Sequence, residues 1–224
     1  MNAPSLAAAA RPLARRSAWL GGNMPAARAG LILNLLVPFA WLVSDALRHQ
    51  LGADPVKEAI HTAGLVAVTY LLLSLAVTPL RMATGWTWLI QFRRSLGVYA
   101  FYYACVHLAI YFWWDRLHSL RSTASEIIHR RYLTIGFLSL VLMAPLWATS
   151  FNAAIRALGG VRWKRLHRLA YPAAALACWH FYLQTKADKR LPEVYIGVLL
   201  ALFFWRAVAA RVQRSQARVL PTTG

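Results

Sequence analysis

The stretch Arg93-Arg94-Ser95-Leu96-Gly97-Val98-Tyr99-Ala100-Phe101-Tyr102-Tyr103-Ala104-Cys105-Val106-His107, continued by Leu108-Ala109-Ile110-Tyr111-Phe112-Trp113-Trp114-Asp115, decides the fold. From Leu96 to Trp114 it contains no Asp, Glu, Lys or Arg. As a helix rising 1.5 Å per residue it extends about 28 Å, close to the roughly 30 Å hydrocarbon core of a bilayer. Two arginines flank one end and two tryptophans the other, the arrangement of a membrane-crossing helix. The residue inside it that is costly to leave without a partner is the imidazole of His107.

Five more apolar runs flank this one, giving expected spans at Leu31–Leu47, Ile60–Leu80, Leu96–Trp114, Leu133–Thr149, Leu166–Leu183 and Val194–Ala209. Backbone polar groups in lipid must bond internally, so helices are expected throughout. The fold class is therefore an all-α membrane protein, a six-transmembrane-helix bundle spanning 31–209 between basic tails at 1–30 and 210–224. Pro38, Pro145 and Pro172 fall inside spans and mark expected kinks. No internal repeat or long soluble domain is evident. Of the 224 residues 59% are hydrophobic and only 14% charged, against roughly a quarter charged in soluble domains.

The net charge of +18 does not point to nucleic acid, because Lys and Arg sit in short breaks between apolar runs rather than in one stripe. Lipid headgroups are the expected partner. The N-terminal tail, the second-to-third and fourth-to-fifth connections and the C-terminal tail hold four, three, five and four basic residues, sixteen in all. The other three connections hold nine and are accompanied by all seven acids. The positive-inside rule then puts both termini in the cytoplasm of a bacterial inner membrane, as an even number of spans requires. Arg15-Arg16 resembles a twin-arginine export signal, but no small-residue cleavage site follows the next apolar run, so a cytoplasmic tail is the reading.

Cys105 and Cys178 lie inside apolar runs without a CxxC, covalent haem-attachment or zinc spacing. No glycine fingerprint for a nucleotide appears, so an electron donor and a final acceptor would have to come from other molecules. Among seven histidines, His49, His118 and His129 fall in outer connections, and His61 opens the second span, where a structural role is favoured. His107 lies 11 residues after Leu96 and His180 14 residues after Leu166, on spans running the same way. Both therefore reach about mid-membrane or slightly beyond. Two neutral imidazoles at matched depth on different helices suit the two axial positions of one haem b iron; hydrogen bonding to neighbouring helices is the alternative. His167 sits about 19.5 Å lower and would serve a second haem only if the chain bends between it and His180, since 13 residues leave them about 140° apart on a straight helix. Arg93 and Arg94 occupy the inner positions of the third span and suit haem propionates, a flavin phosphate or lipid phosphate.

The run from Arg93 to His107, followed by Tyr111-Phe112-Trp113-Trp114-Asp115, resembles the haem-binding membrane subunits of periplasmic methionine sulfoxide reductase systems, the MsrQ or YedZ family. So does Trp163-Lys164-Arg165-Leu166-His167-Arg168-Leu169-Ala170-Tyr171, with His180 thirteen residues beyond His167. The resemblance implies membership of the ferric-reductase-like transmembrane superfamily, haem b and FMN as cofactors, and electron delivery to a periplasmic molybdopterin-containing catalytic subunit that reduces methionine sulfoxide in proteins. It implies the quinone pool or a cytoplasmic flavin reductase as donor, and a non-catalytic role for this chain. Arg93 and Arg94 stand where the two-haem pattern of ferric reductases wants a histidine. The competing class is a polytopic transporter or membrane scaffold using buried histidines for a metal ion or protons.

Overall fold

The computed structural model describes residues 24–219, so most of the basic N-terminal tail, including Arg11, Arg15 and Arg16, lies outside the described residues. The helices are α1 (Met24–Leu47), α2 (Pro55–Thr84), α3 (Ile90–Ile110), α4 (Leu120–His129), α5 (Arg131–Ala148), α6 (Asn152–Leu166), α7 (Ala170–Gln184) and α8 (Arg190–Val219). A 3-10 turn, Thr87–Leu89, leads into α3, a π turn, Tyr111–Asp115, prolongs it, and a second 3-10 turn, His167–Leu169, precedes α7. Among the described residues four helices are long and apolar enough to cross a membrane, Pro55–Thr84, Thr87–Asp115, Arg131–Ala148 and Arg190–Val212, beside a shorter apolar helix, Leu35–Leu47. Each of the six expected spans overlaps a helix; α7, of 15 residues, is shorter than the run expected there.

Local chemistry sets the helix ends. Asp54 accepts from the Lys57 N–H and Pro55 supplies a first position needing no donor, so α2 starts there. Gly85, at φ 72°, closes it by donating to the Arg81 carbonyl. Pro38 and Pro145 lie inside α1 and α5 as expected. Pro172 does not kink a span, however. It falls in the first turn of α7, where the missing N–H has no helical partner to lose, just after the 3-10 turn His167–Leu169 that separates α6 from α7.

Helices α4 and α6 were not expected, because neither is an apolar run of membrane length. In α6 the backbone breaks at Gly159, whose φ of 71° suits a residue without Cβ. The core centres on α2, whose Val68, Leu71, Leu72 and Leu75 pack with Ala100 and Tyr103 of α3, Ala173, Ala174 and Cys178 of α7, and Leu199 of α8. Ala100, Ala173 and Ala174 are wholly buried, the small residues that let helices approach closely in a membrane bundle. Outward faces carry large apolar side chains, among them Leu33, Trp41, Leu200 and Phe204, an arrangement suited to lipid and costly in water.

Candidate functional site

α2 pairs with α3 and α5 pairs with α7, and each pair presents one histidine to the space between them. His107 of α3 reaches across to α2, its Nδ1 2.8 Å from the Ile60 carbonyl. His180 of α7 reaches across to α5, its Nδ1 2.7 Å from the Tyr132 carbonyl. The two bonds join residues 47 and 48 apart in the chain, so the arrangement is built twice. A carbonyl can only accept, so in each neutral ring Nδ1 carries the proton and Nε2 keeps its lone pair. That is the tautomer and second-partner pattern of a metal-ligating histidine.

Four residues beyond each accepting carbonyl stands a glycine. A Cβ on Gly64 would lie 2.9 Å from His107 Nδ1, and one on Gly136 would lie 2.7 Å from His180 Nδ1. In a helix the side chain at i+4 overhangs the carbonyl at i. Glycine at that position uncovers the carbonyl for the incoming imidazole, whose donor shares an oxygen that has two lone pairs.

The ring centroids of His107 and His180 are 6.1 Å apart, their planes inclined by 81°. Two metal–nitrogen bonds of about 2.0–2.1 Å, each extended by about 1.1 Å to the ring centre, would span roughly 6.2–6.4 Å, so the rings are spaced to share one metal. They line a cavity of about 880 Å³, within the range of about 300–1,000 Å³ of cofactor pockets. Its walls include Leu65, Val68, Leu71, Leu108, Leu140 and Met143. Among the described residues no three His, Cys, Asp or Glu side chains gather to hold a bare ion. A haem iron needs only two ligands from the protein because the porphyrin supplies four. The donor set, the spacing and the apolar walls all fit haem.

One end of the cavity is charged. Lys57, Asp115, Arg116, Glu126, Arg130 and Lys186 surround it, Arg116 pairing with Asp115 at 2.6 Å and approaching Glu126 at 3.8 Å, while Arg130 also pairs with Glu126. His61 lines the same cavity beside Phe181, ring centroids 5.9 Å apart, so it belongs to the site's wall.

The family profile "Ferric reductase like transmembrane component" matches residues 63–178, a stretch that includes His107, Gly64, Tyr132 and Gly136 and stops short of Ile60 at one end and His180 at the other. Three relatives named "Protein-methionine-sulfoxide reductase heme-binding subunit MsrQ" align over most of both chains. The protein of Polaromonas naphthalenivorans is 38% identical over 85% of this chain and 90% of its own. That of Xanthomonas campestris pv. campestris (strain 8004) is 43% identical over 81% and 85%, and that of Rhodospirillum rubrum is 37% identical over 85% and 92%. The chain belongs to the MsrQ branch of the ferric-reductase-like family. No solved structure matches it.

For an MsrQ chain the remaining expected site residues are placed unevenly. Arg93 and Arg94 lie at the other end of α3, about 20 Å from His107 along the helix, so neither lines the cavity that holds the histidine pair. Arg94 is exposed and donates to Asn152 Oδ1 at 2.6 Å, whereas Arg93 is half-buried and its Nη1 is 3.4 Å from Thr78 Oγ1. His167 stacks on Trp163 with centroids 3.9 Å apart and its Nδ1 is 3.2 Å from the Trp163 carbonyl. It stands outside the cavity. Gly64 and Gly136 were missed by sequence reasoning. Their only signal was a glycine inside an apolar helix, which costs about 1 kcal/mol against alanine and so asks for a packing reason.

Proposed function

We propose that this MsrQ-family chain is a six-span inner-membrane subunit with both termini in the cytoplasm that carries electrons outward through haem b held by His107 and His180. The observation that carries the reading is the imidazole pair: 6.1 Å between centroids, with Nδ1 of each ring tied to a helical carbonyl. When bound, haem b supplies a one-electron carrier within the hydrocarbon layer. The chain's own residues do the rest. His107 and His180 offer Nε2 lone pairs, the carbonyls of Ile60 and Tyr132 hold the proton on the opposite nitrogen, and Leu71, Leu140 and Met143 keep water from the interior.

The relatives' names support a methionine sulfoxide reductase system, and the acceptor in this reading is its periplasmic molybdopterin-containing catalytic subunit. The donor is the quinone pool or a cytoplasmic flavin reductase, with FMN bound at the cytoplasmic end, where either the Arg93/Arg94 pair or the basic connection around Arg162, Lys164 and Arg165 neutralises its phosphate. A second haem, if bound at that end, would take His167 as a ligand.

The test is the reduced absorption spectrum and haem content of His107→Ala and His180→Ala, normalised to protein in the membrane. Removing either ligand should lower haem content tenfold or abolish six-coordination. His118→Ala and His129→Ala should change neither, and His167→Ala reports on a second haem. Full haem with unchanged low-spin character in both His107→Ala and His180→Ala would show that the iron is held elsewhere.

A further inference from the structure

We propose that Arg81, Arg93 and Arg206 form a binding site for a phosphate-bearing amphiphile at the end of the bundle remote from the charged mouth of the histidine cavity. A second cavity of about 590 Å³ lies between the last turns of α2, the start of α7 and the far half of α8. Arg81, Tyr171 and Arg206 line it together with Met82, Phe203 and Trp205.

Arg206 is held in place. One terminal nitrogen donates to Tyr171 Oη at 2.6 Å, the other to the Leu75 carbonyl at 2.9 Å, and the guanidinium carbon sits 5.0 Å from the centre of the Tyr171 ring. Its Nε, like that of Arg81, is buried without a hydrogen-bond partner. Arg93 donates to Thr78, which lines the same cavity, and lies within electrostatic reach of Arg206 and Tyr171.

Among the described residues no Asp or Glu is available to these cations. Asp54 and Glu58 open α2 and Glu193 opens α8, while Arg81 and Arg206 lie in the far parts of the same helices. Arg206 is 13 residues beyond Glu193, about 20 Å along the helix. Asp115 ends the π turn after α3, whereas Arg93 is in its first turn. Glu126 lines the mouth of the histidine cavity, Asp188 lies between α7 and α8, and Asp45 lies just past Leu42, which packs with Ala63 of α2 and with Val106 and Ile110 of α3. Three partly buried cations with two orphaned donors, and no Asp or Glu among the described residues within reach, call for an external anion. Guanidinium groups match phosphate oxygens in fork geometry, and the aromatic and apolar wall adds contact for an apolar body.

Two sources carry that chemistry, FMN and an anionic phospholipid; the FMN arm alone rests on the function proposed above. The experiment uses the whole protein purified in mild detergent, titrated with FMN and, separately, with phosphatidylglycerol followed by native mass spectrometry. Arg81→Gln is the leading variant, since its side chain makes no hydrogen bond among the described residues and the fold should survive its loss. Arg206→Gln is the second, and Arg211→Gln, exposed further along α8, controls for charge alone. Binding of one of the two probes should weaken tenfold or more in Arg81→Gln and Arg206→Gln and stay unchanged in Arg211→Gln, and the affected probe names the source. Unchanged affinity for both probes in Arg81→Gln, or an equal loss in Arg211→Gln, overturns the site. The haem band is read in every sample. A haem-loaded protein without arginine dependence removes this proposal and leaves the function; phosphate binding without haem does the reverse.

Discussion

Nδ1 of each cavity histidine is fixed by a backbone carbonyl that glycine leaves uncovered, and that makes Gly64 and Gly136 as consequential as the imidazoles. In Gly64→Ala the new methyl would sit 2.9 Å from His107 Nδ1, and in Gly136→Ala 2.7 Å from His180 Nδ1. The ring must move and its hydrogen bond stretch or break. Loss of an outer-shell partner weakens metal affinity about 10–100-fold, so haem content in membranes should fall by that order in either variant. Gly97→Ala meets nothing within 4 Å and should retain full haem, being neutral or mildly stabilising as helical Gly→Ala changes are. Equal haem in Gly97→Ala and Gly136→Ala would remove the glycine argument. The histidines were legible in the sequence because an intramembrane imidazole is costly and its depth follows from counting residues. The glycines were not, because their contacts join positions more than 40 residues apart.

α1 shows how a proline bend is repaired by a neighbouring element. Pro38 brings no N–H to the ladder of α1, and at the same turn the Tyr103 hydroxyl of α3 donates to the Leu35 carbonyl and accepts from the Phe39 N–H, both at 2.9 Å. Those two backbone groups would pair with one another in an unbroken helix. Tyr103→Phe should therefore strand a buried acceptor and donor, at about 1–3 kcal/mol each before relaxation. Thermal unfolding in detergent should shift down by several degrees while the haem spectrum keeps its shape, since Tyr103 does not line the histidine cavity. An unchanged midpoint would mean that α1 closes its own ladder. From sequence, the prolines inside α1 and α5 could be placed, whereas Pro172 could not be assigned to a harmless first turn. That assignment depends on α7 starting only after the 3-10 turn His167–Leu169, which no apolar periodicity marks. Helices α4 and α6 escaped for a related reason: a search for long apolar runs passes over short helices of mixed polarity.

Across the whole molecule the charges are segregated. Acids cluster with the mouth of the histidine cavity, while Arg81, Arg93 and Arg206 stand at the other end without them. Reporter fusions near Arg162 should give a cytoplasmic signal, and those near Ser122 and Lys189 a periplasmic one, as sixteen basic residues against nine require. An outside signal at Arg162 would overturn the orientation proposed above. The all-helical membrane character and the placing of His107 beside His180 could be read from hydropathy and spacing. The arginine cluster could not, because its members are far apart along the chain and meet only through packing of α2, α3 and α8. At this scale the paired clamps also bear on rate. Each imidazole is fastened to a helix other than its own, so neither ring can swing without shearing α3 against α2 or α7 against α5. Ligands fixed in advance cost little reorganisation when charge arrives or leaves. Tight pairing of those helices would thus keep the reorganisation small when a carrier held between the two imidazoles gains or loses an electron.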